Sequence, residues 1–225
     1  VLSSQLKAQN EKVAVSGYVK NMQTVLFFND SYPTLQPGVL KDTVFLDELI
    51  HQRLNLNWYI NDKFTFKAGW RNRIFLGDLV KSDPDYGKLV DDSSNDYMDL
   101  SALVIDKPSV VWHSVLDRLY LEYSSGDWEV RIGRQRVNWG INTVWNPNDV
   151  FNAFSFTDFD YEERPGSDAI RVKYYTSFAS SIEIAAKAAD NIEEAVIAGL
   201  WKFNKWEYDF QLLAGYVKED FVLGG

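Results

Sequence analysis

The lengths of the links between predicted strands constrain the fold of this chain most strongly. About nine stretches alternate apolar with polar side chains, which is the period-2 pattern of strands with two unlike faces. Short links lie at residues 61–62, 125–127, 177–179 and 204–205, whereas long links begin near residues 28, 76, 140 and 189. Short and long links strictly alternate, so an antiparallel sheet would have its tight turns at one end and its long loops at the other.

This arrangement is typical of an antiparallel barrel in a bacterial outer membrane, which has short periplasmic turns and long extracellular loops. We therefore predict an all-β fold: one up-and-down transmembrane β-barrel domain over residues 1–225, with a periplasmic N-terminal segment at residues 1–12. A soluble β-sandwich or lipocalin-like barrel is the alternative, because its strands also alternate. In that fold the apolar face would be the core and the polar face would contact water.

Strand length and aromatic placement favour the membrane barrel. The predicted strands have about 10–14 residues, which matches the ~9–11 of a strand that spans a bilayer better than the ~5–6 of a soluble strand. Aromatic residues make up 15% of the chain, and Trp58, Phe64, Tyr123 and Trp128 flank tight turns, where an interfacial girdle would lie. No run approaches the ~18 apolar residues of a membrane helix, which argues against a helical inner-membrane protein.

The odd number of predicted strands indicates part of a larger barrel. Both termini of a bacterial single-chain barrel lie in the periplasm, which requires an even number of strands. We expect about 14–18 strands in the intact barrel, of which this chain would be the N-terminal portion. A small barrel of about ten strands is the alternative, with residues 221–225 or the N-terminal segment forming the last pair.

The polar faces of the central strands predict a pore lining that is rich in cations. In a barrel these side chains point into the lumen, where Arg and Lys favour the passage of anions. Lumenal Arg and Glu also pair across strands simply to solvate a wall, and this interpretation of the same residues stays open. The predicted pore-lining residues are Arg53, Lys67, Arg71, Arg73, Arg118, Glu122, Arg131, Arg171 and Lys173.

Acidic residues are concentrated in the predicted loops 77–111 and 141–167. Asp83 and Asp85 place oxygen ligands at alternate positions, but the spacing lacks the distal Glu of a calcium-binding hand. We therefore expect solvated acidic loops, no metal site and no cofactor. The net charge of −9 and the absence of a basic helical stripe argue against nucleic acid as a partner.

Residues 133–175 carry a family resemblance. The motifs are Gly133-Arg134-Gln135, Trp139-Gly140, an Asn-Pro-x-Asp loop at residues 146–149 and Glu-Arg-Pro-Gly at residues 163–166. This segment resembles Gram-negative outer-membrane porin-like proteins, common in the Bacteroidota, which include phosphate-selective porins and alginate-export channels. The resemblance implies that loop 141–167 folds inward and constricts a pore, with Asp158, Asp160, Arg164 and Arg171 near the narrowest point.

The aromatic residues of this loop agree with inward folding. Phe151, Phe154, Phe156, Phe159 and Tyr161 are more apolar than a loop in water tolerates. Such side chains require a surface to pack on. The inner wall of the barrel would supply that surface, and so would another loop in a plug that caps the mouth of the barrel.

Together these patterns predict a channel in the cell outer membrane that passes small solutes, with anions as candidates. We expect no enzymatic activity: His51 lies mid-strand and His113 has Ser114 adjacent rather than opposite, so neither forms a nucleophile–base pair. There are two alternatives to the channel. The first is a surface-binding or structural barrel of a membrane assembly, and the second is an outer-membrane hydrolase. The lipid bilayer is the expected partner, and further copies of the chain or other membrane proteins are candidates.

Overall fold

Long strands dominate the described part of the chain, of which 69% is strand and 8% is helix. The computed structural model describes residues 2–28, 43–92, 96–140, 148–151 and 166–225. Twelve strands form one sheet, and all its pairs are antiparallel. The prediction of an all-β, antiparallel fold is therefore confirmed.

The strands are β1 (Leu2–Gln9), β2 (Val13–Phe28), β3 (Thr43–Tyr59), β4 (Phe64–Gly77), β5 (Ser101–Lys107), β6 (Val110–Ser125), β7 (Trp128–Gln135), β8 (Ser167–Ser177), β9 (Ser180–Lys187), β10 (Val196–Lys205), β11 (Tyr208–Val217) and β12 (Asp220–Gly224). Two short helices, α1 (Asp78–Ser82) and α2 (Tyr86–Asp92), lie between β4 and β5, and a 3-10 turn covers Ile192–Glu194. Across the described ranges, no helix has the length and apolar character needed to cross a membrane.

The order of strands in the sheet follows the order of the chain, with one exception. β4 pairs directly with β6, and β5 is a side strand that pairs only with the first half of β6. β7 pairs with the second half of the same strand. Among the described residues, β1 pairs only with β2 and β12 only with β11, so the sheet is not closed.

Three strands exceed the expected count of about nine. β1 lies in residues 1–12, which we predicted to be a periplasmic N-terminal segment, and β5 lies within the predicted loop 77–111. β12 occupies the residues that the ten-strand alternative considered for an additional strand. The count of about nine omitted β1, whose first residues are mostly polar, although all eight of its residues pair with β2.

The connections agree with the expected sorting of turns, except for two tight links at the opposite end, β5 to β6 and β11 to β12. Tight turns join β3 to β4, β6 to β7, β8 to β9 and β10 to β11, and a further one joins β1 to β2 at the same end of the sheet. That first turn is stabilised by the side chain of Asn10, whose Oδ1 accepts from the amides of Lys12 (2.9 Å) and Val13 (2.7 Å). At the opposite end, β11 and β12 are joined through only Lys218 and Glu219, which have positive φ angles of 48° and 73°.

The two faces of the sheet differ in chemistry, and the polar one is the more buried. We call the side that carries Arg53, Arg71, Arg131 and Glu183 the polar face, and its opposite side the apolar face. On the polar face Arg71 is 3% exposed and Glu183 is 6% exposed. On the apolar face Ile132 is 52% exposed and Ile170 is 51% exposed. This distribution is the reverse of that in a soluble β protein.

A bulge keeps the polar face continuous across β4 and β6. The register shifts between Gly69 and Trp70, so that Gly69 pairs with Arg118 while Trp70 pairs with Leu116. Asp117 has no partner in this ladder, and a bulge of this kind turns two successive side chains toward one side. Asp117 and Arg118 consequently both lie on the polar face.

Candidate functional site

The polar face brings together the nine predicted pore-lining residues. Strand pairing aligns Arg53 with Arg71, Lys67 with Tyr120, and Arg131 with both Glu122 and Arg171. Arg73 and Lys173 lie at alternate positions of the same strands as Arg71 and Arg171, and Arg118 joins them through the bulge. The alternation in the sequence therefore grouped these side chains correctly on one side of one sheet.

A ladder of alternating charges crosses this face from β4 to β9. Lys67 Nζ lies 3.2 Å from both carboxylate oxygens of Glu122, and Arg131 Nε lies 2.7 Å from Glu122 Oε2. Glu129 Oε1 then joins Arg131 Nη2 (3.0 Å) to Arg171 Nη2 (3.3 Å). Arg171 Nε continues to Glu183 Oε1 at 2.9 Å. These contacts bear out the pairing interpretation for Lys67, Arg131 and Arg171, because each touches a carboxylate.

A fourth cation, Arg53, is paired with Asp117, the residue at the bulge. Arg53 Nη1 lies 2.7 Å from Asp117 Oδ2, and both side chains are almost fully buried. Arg118 Nη1 donates to the carbonyl oxygen of Asp117 at 2.7 Å, and Arg53 Nε donates to Asn55 Oδ1 at 2.8 Å. Removing one member of a buried pair costs about 3–5 kcal/mol, because the other charge is left without its counter-ion. Asp117 is thus central to this part of the face.

The first described part of loop 141–167, together with the residues just before it, packs on the polar face of β8–β12. Trp139 and Phe151 contact each other edge to face, with ring centroids 5.0 Å apart, and both are buried. They cover a group of small and apolar side chains: Ala169, Ala185, Val196, Ala198, Leu200 and Leu213. Trp139 Nε1 donates to Glu183 Oε1, and Gln211 Nε2 donates to the carbonyl oxygen of Trp139 at 2.7 Å. Phe151 therefore packs on this wall, while Asp158, Asp160 and Arg164 lie outside the described residues.

Helices α1 and α2 cover a second part of the same face, above β3, β4 and β6. Asp91 of α2 lies 3.2 Å from Nε2 of His113, which is fully buried, and Ser101 Oγ donates to the same carboxylate oxygen. On the other side of the ring, Arg73 Nη2 lies 3.2 Å from His113 Nδ1. A guanidinium only donates, so Nδ1 accepts and the imidazole proton lies on Nε2, facing Asp91. His113 is therefore a neutral connection between α2 and Arg73.

The link between α2 and β5 contacts a buried ion pair between Arg134 and Asp168. Arg134 forms a two-point contact with Asp168, through Nε (2.9 Å) and Nη2 (2.7 Å), and is 1% exposed. Met98 donates its amide to Asp168 Oδ2 at 2.7 Å and accepts from Arg134 Nη2 through its carbonyl. Asp96 Oδ1 lies 2.5 Å from Lys187 Nζ. Gly133, the residue before Arg134, has a φ of 118°, and the pairing register between β7 and β8 stays continuous through both residues.

Two titratable groups of the helical segment have shifted pKa values. The pKa of Tyr86 is raised above its ordinary value, chiefly because the phenol is withdrawn from water. The pKa of Asp78 is lowered, first by the amide of Leu46, which donates to its carboxylate, and then by Lys81. Both groups hold their usual charge states at neutral pH, Tyr86 neutral and Asp78 ionised. Over the described part of the chain, no three His, Cys, Asp or Glu side chains cluster as metal ligands would.

Sequence reasoning missed four residues of this face: Asp117, Glu183 as the acceptor of Trp139, Asp91 and Trp139 itself. Asp117 is invisible to a period-2 pattern, because the bulge interrupts the alternation at that residue. Asp91 and Trp139 belong to the connections, whose contacts depend on tertiary packing. A buried His within a strand next to cationic neighbours was the signal available for the Asp91 contact.

Comparison of the chain with protein-family models, curated proteins and solved structures finds no match.

Proposed function

We propose that this sheet is part of the wall of an outer-membrane β-barrel channel, with its polar face toward the pore and its apolar face toward lipid. One observation carries the proposal: the exposed face is apolar and the buried face is charged. Soluble monomers rarely expose apolar patches larger than a few hundred Å². Here the apolar face extends over all the long strands, and lipid is the environment that matches it.

Strand length and aromatic position support the same assignment. β2, β3, β4 and β6 have 16, 17, 14 and 16 residues, longer than the ~9–11 that a tilted strand needs to cross a bilayer. Near the tight turns, aromatic pairs lie on the apolar face, with ring centroids 5.0 Å apart for Phe64 and Tyr123 and 4.7 Å for Trp128 and Tyr174. Aromatic side chains at the ends of spanning strands are typical of the membrane interface.

The charges of the polar face favour the passage of anions. Four acidic residues on this surface, Asp117, Glu122, Glu129 and Glu183, contact several of the cations. The cations are more numerous: Arg53, Lys67, Arg71, Arg73, Arg118, Arg131, Arg171 and Lys173. Cationic rings select for anions because their charge replaces part of the hydration free energy that an anion loses when it enters a pore. The porin-like resemblance of residues 133–175 supports a channel of this kind.

Reconstitution in a planar lipid bilayer tests the proposal. We expect stepwise conductance, and a reversal potential that indicates anion preference when the two sides differ in salt concentration. Lys173→Glu should shift the reversal potential toward cations, because Lys173 lies on the polar face of β8. Lys63→Glu is the matched control, since it makes the same charge change in an exposed turn. Absence of conductance would reject the channel, and equal shifts in both variants would reject the assignment of the polar face to the pore.

A further inference from the structure

A group of polar side chains interrupts the apolar face on one side of the sheet. Gln52 of β3 pairs with Asn72 of β4, and Asn72 pairs with Ser114 of β6, so all three share the face that carries Leu54. The polar group distinguishes this part of the face from β8–β11. Mid-strand side chains on the same face of β8–β11 are apolar, and include Ile170, Val172, Ile184, Ile197, Trp201 and Leu212.

Hydrogen bonds join the polar group to two tryptophans. Asn72 Nδ2 donates to Gln52 Oε1 at 2.7 Å, and Trp112 Nε1 donates to Asn72 Oδ1 at 3.3 Å. Trp70 Nε1 donates to Ser114 Oγ at 2.7 Å, and Trp70 is 45% exposed. We call these five residues the amide patch. Asn72 has both ends of its amide bonded, whereas the amide nitrogen of half-buried Gln52 has no acceptor among the described residues.

The depth of Gln52 decides which environment the amide patch meets in the proposed barrel. Gln52 lies six residues before Trp58, which is close to the tight turn between β3 and β4. A rise of about 3.3 Å per residue and a tilt of about 45° place it roughly 14 Å from Trp58, near the middle of an apolar band of about 25 Å. Glu48 and its pairing partner Gln23 lie farther along, at the outer edge of that band, where water reaches them. Lipid chains offer Gln52 no hydrogen-bonding group.

An identical copy of the chain is the partner that this chemistry fits. A side-chain amide both donates and accepts, so two Gln52 side chains can hydrogen-bond to each other. Paired Asn side chains specify self-association in coiled coils in the same way. Copies inserted in one orientation are related by an axis along the membrane normal, which brings equal depths of the two walls together. Trp70, exposed beside the amides, adds the large aromatic surface that is typical of such contacts.

We propose that the amide patch is the contact surface between two copies of this chain, packed wall to wall in the membrane. The inference rests on the proposed function, because in water these amides would be solvated and would need no partner. Gln52 of one copy would contact Gln52 of the other, and the Trp70 rings would pack beside them. The rest of the apolar face, including Ile170 of β8, would stay in contact with lipid.

Förster transfer between labelled copies of the full chain in liposomes tests the proposal. The chain has no cysteine, so Asp62→Cys in the exposed β3–β4 turn gives a single labelling site. We expect transfer between copies, with a dissociation constant measured by adding lipid. Gln52→Leu should raise that constant at least about tenfold, because it removes the hydrogen bond between copies. Asn57→Leu is the matched control, since it removes an amide from the opposite face of the same strand.

Thiol cross-linking locates the contact. Gln52→Cys, treated with a short bismaleimide in liposomes, should give a dimer on a denaturing gel. Ile170→Cys, which is half exposed on the same face of β8, should remain a monomer. Equal cross-linking of both variants would indicate random collision and would overturn the assignment of the contact to the amide patch.

Absence of transfer between copies of the original protein would also overturn the inference. So would an unchanged dissociation constant in Gln52→Leu, and a gain in stability of that variant would then show that the patch contacts lipid. Cross-linking of Gln52→Cys in cells to a protein of another mass alone would reject a second copy as the partner. Conductance is not a readout here: a conducting monomer would leave the proposed function intact, and a dimer without conductance would support the surface while rejecting the channel.

Discussion

Gly133 shows how a single backbone angle determines the end of β7. Its φ is 118°, and a Cβ atom at this residue would lie 2.3 Å from the carbonyl oxygen of Leu119 in the neighbouring strand. Only glycine adopts this conformation without strain and also fits against that oxygen. Arg134, the next residue, depends on this geometry for its contact with Asp168.

We predict that Gly133→Ala lowers the free energy of unfolding by more than the about 1–3 kcal/mol of a strained backbone alone, because the steric overlap adds to it. Gly126→Ala is the control: its φ of 57° also favours glycine, yet no atom lies within 4 Å of the added Cβ. Unfolding in urea, measured on the protein in detergent micelles, compares the two variants. Equal losses would contradict a steric role for the Leu119 contact.

At the scale of elements, the segment from α1 to β5 is attached to the sheet by side chains rather than by strand pairing alone. Asp91 contacts His113 and Ser101, Leu79 donates to Asp47, and Asp96 contacts Lys187. Helices of five and seven residues are too short to be stable by themselves in water. Their position on the polar face therefore depends on these contacts.

We predict that Asp91→Asn increases the rate of tryptic cleavage at Lys88, which is exposed on α2, by about tenfold. The variant replaces a charge-assisted contact to buried His113 with a weaker one, so that α2 opens more often. Asp92→Asn, which makes the same change at an exposed neighbour, should cleave at the original rate. Equal cleavage of both variants would show that Asp91 does not anchor the helix.

The long strands could be predicted from the sequence, whereas the short strands β1, β5 and β12 were not among the nine predicted. Most of β3 and β4 alternates Leu, Ile, Trp and Phe with Arg, Lys and Asn, so their faces agree with the sequence prediction despite interruptions at Glu48, Gln52 and Asn72. β1 is short and has only Leu2, Leu6 and Ala8 as apolar residues, and β5 lies in a region whose Asp residues indicated a loop. Both are formed by pairing with an existing edge, β2 or β6, and this pairing is a tertiary effect that a local pattern does not contain.

At the scale of the whole molecule, the apolar face is exposed and the polar face is buried. A substitution on the apolar face can therefore test whether that face contacts lipid or water. In water, a lysine in place of an exposed isoleucine changes stability by less than about 0.5 kcal/mol. On the lipid face of a barrel, the same substitution costs about 2–4 kcal/mol near the bilayer midplane. The apolar face of β8 offers a suitable position, because Ile170 is half exposed there.

We predict that Ile170→Lys destabilises the protein folded in liposomes by about 2–4 kcal/mol. Thr176→Lys, at an exposed position near the β8–β9 turn, should have little effect, because a lysine there reaches water. The measurement is the free energy of unfolding in guanidinium chloride in the presence of lipid. Equal stability of Ile170→Lys and the original protein would contradict lipid contact at this face.

The directions of the two edge strands carry a geometric consequence. The path from β1 to β12 without β5 reverses direction at every link, so β1 and β12 run the same way. Direct pairing of these edges, within one copy or between copies inserted in the same orientation, would therefore be parallel. A closed wall that contains this sheet and keeps all its ladders antiparallel must place an odd number of strands between β12 and β1, which makes the total even.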